Sequence, residues 1–251
     1  MTESWADFYQ SDLQSVYLLQ VVPLVFLAFR ALPRTGLARR AAARGRGVST
    51  AEPAAAAFVS VWAWIFAVET CLDPLATGPL ARVLGDTAGT VLSFAFVWLG
   101  DFRVFALVFA VAAAGAEPRR FLRNAALASF AVPVFAGLAD AALRARLEFL
   151  PGQTLWVLYE LSFLGVALWL RARFVPARVG AERPAARAFL REVCGYVALY
   201  YALWATSDGI ILLAGWDGGW ALRVLPNQMY YALFVPFVWW RLHAVRRASA
   251  G

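Results

Sequence analysis

The chain alternates between long apolar runs and short, arginine-bearing links. Seven apolar stretches come close to the roughly 20 residues that a helix needs to cross the hydrocarbon core of a bilayer. They fall near residues 13–32, 53–72, 88–115, 125–143, 154–170, 190–214 and 220–240. The pattern predicts an all-α, polytopic integral membrane bundle of seven transmembrane helices, forming a single domain over residues 1–251. The third stretch is longer than a span requires and is read as tilted or as starting in the interface. The fourth is the weakest, because it carries Asp140 and ends in Arg144. Six spans, with the fourth helix lying flat, are the alternative. Residues 73–79, with two prolines and a glycine, read as a loop over the end of the second span.

The links set the orientation. Arg34, Arg39, Arg40, Arg44 and Arg46 follow the first span, and Arg119, Arg120 and Arg123 follow the third. Arg171, Arg173, Arg178, Arg183 and Arg187 follow the fifth, and Arg241, Arg246 and Arg247 lie at the end. The alternate links are poor in arginine, apart from Arg82 and the partial exception of Arg144 and Arg146. Arginine-rich links stay in the cytoplasm, so the expected frame is N-out and C-in, which requires an odd number of spans. Trp156, Trp216 and Trp220 near the predicted outer ends, and Trp169, Trp239 and Trp240 near the inner ends, read as interfacial belts. The first twelve residues are acidic and polar, so no cleavable leader is expected and the first helix serves as its own insertion signal.

Composition agrees with the pattern. Of 251 residues, 62% are hydrophobic and 16% charged, too few polar groups to cover a water-soluble domain. The formal charge of +7 comes entirely from arginine, since lysine is absent. Its clustering in links fits a membrane topology, and a nucleic-acid partner is set aside. An Ala- and Arg-rich, lysine-free composition suggests GC-rich coding and hence a bacterial inner membrane. Cys71 and Cys194 are too few for a disulfide framework and read as small buried apolar residues.

Polar residues within the spans are the candidate chemistry, because a charge at mid-membrane is costly and therefore placed for a reason. Glu69 lies in the second span, Asp101 and Arg103 in the third, Asp140 in the fourth, Glu160 in the fifth and Asp208 in the sixth, with Asn227, Gln228 and Tyr231 in the seventh. Helices running in opposite directions place most of these at one depth, in the outer half. The expectation is one water-reachable polar chamber beneath the outer surface. Helical spacing sets the acids beside aromatic side chains: Trp156 with Glu160, Tyr201 and Trp204 with Asp208, and Asn227 with Tyr231. Interhelical hydrogen bonding alone is the plainer explanation. Five carboxylates face one mid-membrane cation, and Arg103 is expected to pair with Asp140 or Glu160. The surplus acids are then protonated, solvated or bound to a cation. Gly100, Gly209 and Pro226 adjoin polar residues and read as possible helix breaks of the kind that coordinate ions.

Other chemistry is absent. The single histidine, His243, sits at the inner end, so histidine-based metal sites and Ser/His or Cys/His catalysis are not expected in the chamber. No glycine-rich phosphate loop and no cofactor site is read, and a carboxylate-only cation site around Glu69 and Asp73 is weakly indicated. Span count and orientation resemble those of rhodopsin-type and sugar-transporter-type seven-helix proteins in topology alone. A retinal pigment is excluded, because its Schiff base needs a lysine. The expected function is transport or conduction of a small solute, cation or proton. Two alternatives stand beside it: a ligand-binding sensor or assembly subunit working with a partner membrane protein, and an intramembrane enzyme acting on a lipid or isoprenoid.

Overall fold

The structure, a computed structural model, describes residues 4–11, 19–31, 51–113, 117–147 and 149–248. Among these the regular elements are helical. In order they are α1 (Trp5–Gln10), α2 (Val22–Ala31), α3 (Ala51–Leu75, continuing through the π-helical segment Ala76–Leu80 into Ala81–Leu84), α4 (Asp86–Ala112) and α5 (Pro118–Arg144). Then come α6 (Gln153–Trp169, continuing through the π segment Leu170–Phe174 into Val175–Arg178), α7 (Pro184–Ala214), α8 (Gly218–Leu222) and α9 (Val224–Asn227, the π segment Gln228–Leu233, then Phe234–Ala248). Proline opens α5 and α7 in the first turn, where its missing N–H would have no partner anyway. Gly85, at φ 81°, turns the chain from α3 into α4, and Gly215, at φ 59°, ends α7; glycine takes these backbone angles without the Cβ strain of other residues.

Five helices, α3 to α7, are long and apolar enough to cross a membrane, and they coincide with the predicted stretches from 53–72 to 190–214. The predicted stretch 220–240 is helical as well but is not among the five. Asn227, Gln228 and its tyrosines and tryptophans lower its hydropathy. Of the stretch 13–32, residues 13–18 and 32 lie outside the described ones, as do Arg34, Arg39, Arg40, Arg44 and Arg46.

The surface is apolar where a soluble protein's would be polar. Phe29, Val61, Ile65, Val91, Phe135, Leu138 and Leu161 are all more than half exposed, while Asp101, Arg103 and Asp208 are 0% exposed. Water as solvent would invert that distribution. The long helices and this apolar belt together mark a multi-pass membrane protein.

Neighbours in sequence pack side by side from α3 to α7, and α9 closes the circuit by packing on both α7 and α3. The helix α4 also touches α7 and so runs through the middle. Two expectations fail here. Residues 73–79 are helical rather than a loop. The π turn at Ala76–Leu80 widens the helix by one residue and accommodates Pro79, while the Thr77 hydroxyl donates to the Asp73 carbonyl at 2.8 Å. The expected breaks at Gly100 and Gly209 are also absent, since α4 and α7 run through both positions. Beside Pro226 the distortion is a π segment, not an interruption.

Candidate functional site

A cavity of about 380 Å³ opens at the end of the bundle where α3 and α7 finish and α4 and α6 begin. Its walls come from seven elements: Tyr9 of α1, Asp73 and Thr77 of α3, Ser93 and Val97 of α4, Trp156, Tyr159 and Glu160 of α6, Tyr201 and Trp204 of α7, Trp220 of α8, and Arg223, Asn227, Tyr230 and Tyr231 from the start of α9 and the residue before it. The short α1 is held across this end by Asp217, whose carboxylate accepts the Trp5 N–H at 2.7 Å and the Ala6 N–H at 3.1 Å. These are orphan donors of a helix start, satisfied by an acid from a distant element.

Two arginines organise the charges, Arg103 fully buried and Arg223 mostly so, at the cavity wall. Arg223 pairs closely with Asp208, lies 3.9 Å from Glu160, and donates from Nε to the Tyr9 hydroxyl at 3.0 Å. Asn227 donates to that same hydroxyl at 3.0 Å and accepts the Trp204 indole N–H at 2.7 Å. Deeper in the bundle, Arg103 sits 3.7 Å from Glu69 and donates to the Tyr230 carbonyl at 3.3 Å. Its guanidinium lies over the Tyr230 ring, 3.7 Å from the centroid, an arrangement of charge over π-face that gains strength when desolvated. The Arg103 carbonyl accepts the Trp62 indole N–H at 2.9 Å.

The remaining acids are served by tyrosine. Tyr159 and Tyr201 both donate to Asp101 Oδ1, at 2.6 and 3.1 Å. Tyr231 donates to Asp73 at 3.1 Å. Two of the π segments meet here, since Thr77 lies in one, which starts three residues after Asp73, and Tyr230 and Tyr231 lie in the other. A π turn leaves carbonyls without their usual helical partners. In α9 two such carbonyls are filled from the side, Tyr230 by Arg103 and Met229 by the Tyr196 hydroxyl at 3.0 Å.

Glu69, Asp101, Arg103, Glu160, Asp208, Asn227 and Tyr231 thus converge on one region, where Glu160, Asn227 and Tyr231 line the cavity itself. Asp140 does not join them. It is 8% exposed, on the buried face of α5, and its carboxylate pairs at 2.7 Å with the half-exposed Arg144 one turn away on its own helix. The expected pairing of Arg103 with Asp140 or Glu160 is corrected accordingly: its carboxylate is Glu69, and Glu160 belongs to Arg223. Gln228 is half-buried and does not line the cavity. Arg223, Tyr9 and Tyr159 escaped the sequence reading. Arg223 could have been found from its place four residues before Asn227, on the same helical face. Tyr9 carried no such signal, because its position depends on α1 folding back over the bundle.

Five buried carboxylates (Glu69, Asp73, Asp101, Glu160 and Asp208) are therefore matched by two guanidinium groups. Glu160 Oε2 and Asp101 Oδ2 meet no hydrogen-bond donor among the described residues. Beneath Arg103 the interior closes: Val104, Leu107, Val108, Phe163, Leu190 and Val193 are each at most 1% exposed. Among the described residues, no group of three or more His, Cys, Asp or Glu side chains is disposed to hold a metal ion. The arrangement is an aromatic-walled recess with more carboxyl groups than guanidinium groups around it, open at one end and closed by apolar packing at the other. No protein family, curated protein or solved structure matches the chain.

Proposed function

We propose that the chain is a bacterial inner-membrane transporter or channel of seven spans, N-out and C-in, whose outward-facing chamber admits a small cationic solute or proton. The observation that carries this reading is the excess of carboxylates over guanidinium groups around a cavity of about 380 Å³. A cation entering that recess relieves the uncompensated charge and meets aromatic faces at the same time. The side assignment rests on arginine. The helix ends around the chamber carry few, while Arg119, Arg120, Arg171, Arg173, Arg183 and Arg187 lie toward the opposite end.

The test is uptake of a small labelled organic cation into proteoliposomes, with a pH dye reporting proton movement. Saturable uptake is expected, reduced roughly tenfold or more by Asp101→Asn or Glu160→Gln, the scale of losing one well-placed charged contact. Flux no greater than in protein-free vesicles, or variants that match the wild type, would refute it. The second reading, a ligand-binding sensor or assembly subunit, is favoured by the dense packing beneath Arg103, which offers a solute no onward path. Saturable binding without flux in the same vesicles would decide for it.

A further inference from the structure

A second cavity, of about 750 Å³, lies along the side of the bundle between the start of α4, the later part of α5 and the start of α6. Its wall is largely apolar, from Phe94, Val97, Pro133, Ala136 and Leu155, with the last turn of α3 and the charged Arg82 and Asp86 at its outer end. Ser93, Val97, Trp156 and Tyr159 line both this groove and the polar chamber, so the two spaces adjoin across these side chains. The groove faces outward: Phe94 is 46% exposed and Gly137 is exposed. In a bilayer that side meets lipid chains rather than water.

The depth is telling. Ser93 is seven residues into α4 and Gly137 seven residues from the end of α5, each roughly 10 Å from that end of the bundle at 1.5 Å per residue. Trp156 is about 5 Å in by the same measure. The groove therefore runs from the end of the bundle, at Gly85 and Asp86, to roughly 16 Å in at Val97, across the level where polar headgroups give way to hydrocarbon. Gly137 adds to this picture. A glycine inside a helix costs about 1 kcal/mol relative to alanine. No atom lies within 4 Å of where its Cβ would stand, so no helix contact requires it. What a larger side chain at 137 would occupy is the groove.

We propose that the ligand of the chamber is an amphiphile with a cationic head and a single hydrocarbon tail. The head occupies the chamber, where surplus carboxylates and the rings of Trp204 and Tyr230 match an ammonium group in charge and in π-face. The tail leaves past Trp156 and Tyr159, whose rings meet edge to face at 6.3 Å, and lies in the groove. This inference rests on the reading of the chamber as a cation site and adds to it the chemical class of the ligand. A small hydrophilic cation would make no use of an apolar recess adjoining its binding site, whereas an amphiphile needs both spaces at this depth.

The experiment compares two probes on the full chain in lipid nanodiscs, tetramethylammonium and dodecyltrimethylammonium, with dodecyl maltoside as the uncharged long-chain control. Binding is read by quenching of the tryptophans that line the chamber, with partition into empty nanodiscs subtracted. The long-chain cation is expected to bind roughly tenfold or more tightly than the short one, since tail burial adds apolar contact that the head alone lacks. Gly137→Phe, which fills the groove, is expected to remove most of that difference while leaving tetramethylammonium binding unchanged, and the unchanged binding also shows that the variant is folded. Equal affinity for both cations, or a tail advantage untouched by Gly137→Phe, overturns the amphiphile and leaves the chamber reading standing. Dodecyl maltoside binding as tightly as the long-chain cation overturns the cationic head. Binding of neither cation overturns the chamber reading and the amphiphile together.

Discussion

Gly100 gives the most direct test of how the two buried networks are held apart and together. A Cβ on this residue would stand 1.9 Å from the Tyr230 hydroxyl oxygen and 3.1 Å from Tyr230 Cζ. To regain ordinary contact at 3.4 Å, the hydroxyl would have to retreat by about 1.5 Å. The ring has little freedom to do so, because it lies between the Arg103 guanidinium, at 3.7 Å, and the rings of Trp204, Tyr200 and Tyr231. Gly100→Ala therefore carries an overpacking cost of about 1–3 kcal/mol. It also forfeits part of a desolvated cation–π contact worth about 2 kcal/mol. The higher helix propensity of alanine returns about 1 kcal/mol. The net expectation is a loss of about 2–3 kcal/mol, read as a shift in reversible unfolding in mixed detergent micelles. Tyr230→Phe removes the clashing oxygen and keeps the ring over Arg103. In that background the same substitution should cost less than about 1 kcal/mol, a coupling of about 2 kcal/mol in a double-mutant cycle. Additive effects, or a Gly100→Ala protein as stable as the wild type, would refute the close approach of α4 and α9 and with it the placement of Arg103.

Two further substitutions separate the network from its surroundings. Arg223→Met leaves Asp208 and Glu160 buried beside no cation, so it should destabilise by about 3–5 kcal/mol in the same unfolding assay; lysine should not rescue it, because one ammonium cannot span Asp208, Glu160 and the Tyr9 hydroxyl as the planar guanidinium does. Asp140→Asn should change stability by no more than about 1 kcal/mol, since its partner Arg144 is 44% exposed, and it should leave cation uptake unaltered; a loss of uptake would return Asp140 to the chamber.

The spans were legible because their signal is one-dimensional. A run of apolar residues long enough to cross hydrocarbon has few other fates, and α3 to α7 follow that rule. The convergence of Glu69, Asp101, Glu160 and Asp208 was legible for a related reason, since alternating helix direction converts position along a span into depth. The pairings were not. Depth does not fix which partners a side chain meets, so Arg103 was assigned the wrong acid and Asp140, which is taken by Arg144 on its own helix, was placed inside a chamber it does not line. Arg223 was overlooked because it sits in the first turn of an apolar run, where arginine normally reaches the interface. Here the fold places α1 and α8 over it and buries it instead. Residues 73–79 misled because proline and glycine usually end helices, and a π turn is seldom considered as a third outcome.

The partners of the acids sort them by what a proton would do. Glu69, Glu160 and Asp208 face guanidinium groups, which only donate hydrogen bonds and keep their charge. Protonating Glu69 or Asp208 leaves a buried cation less compensated, which is costly in a dry interior, whereas Glu160 shares Arg223 with the closer Asp208 and can take a proton with that cation still paired. Asp101 and Asp73 face phenol hydroxyls. A hydroxyl can rotate from donor to acceptor, so it satisfies a carboxylate and a carboxylic acid equally well. Tyr159 and Tyr201, whose oxygens are 3.4 Å apart, can make that exchange as a pair around Asp101. A change of charge is therefore least disruptive at Asp101, Asp73 and Glu160, and the pairs Glu69–Arg103 and Asp208–Arg223 form the fixed frame around them. The two roles also fall on different sides of the cavity. Asp73 and Glu160 line the space and Asp101 backs it through its two tyrosines, whereas Glu69 lies deeper against Arg103. On the proposed reading of the recess as a cation site, an entering cation meets Asp73 and Glu160 first, and the pairs Glu69–Arg103 and Asp208–Arg223 hold the walls in place.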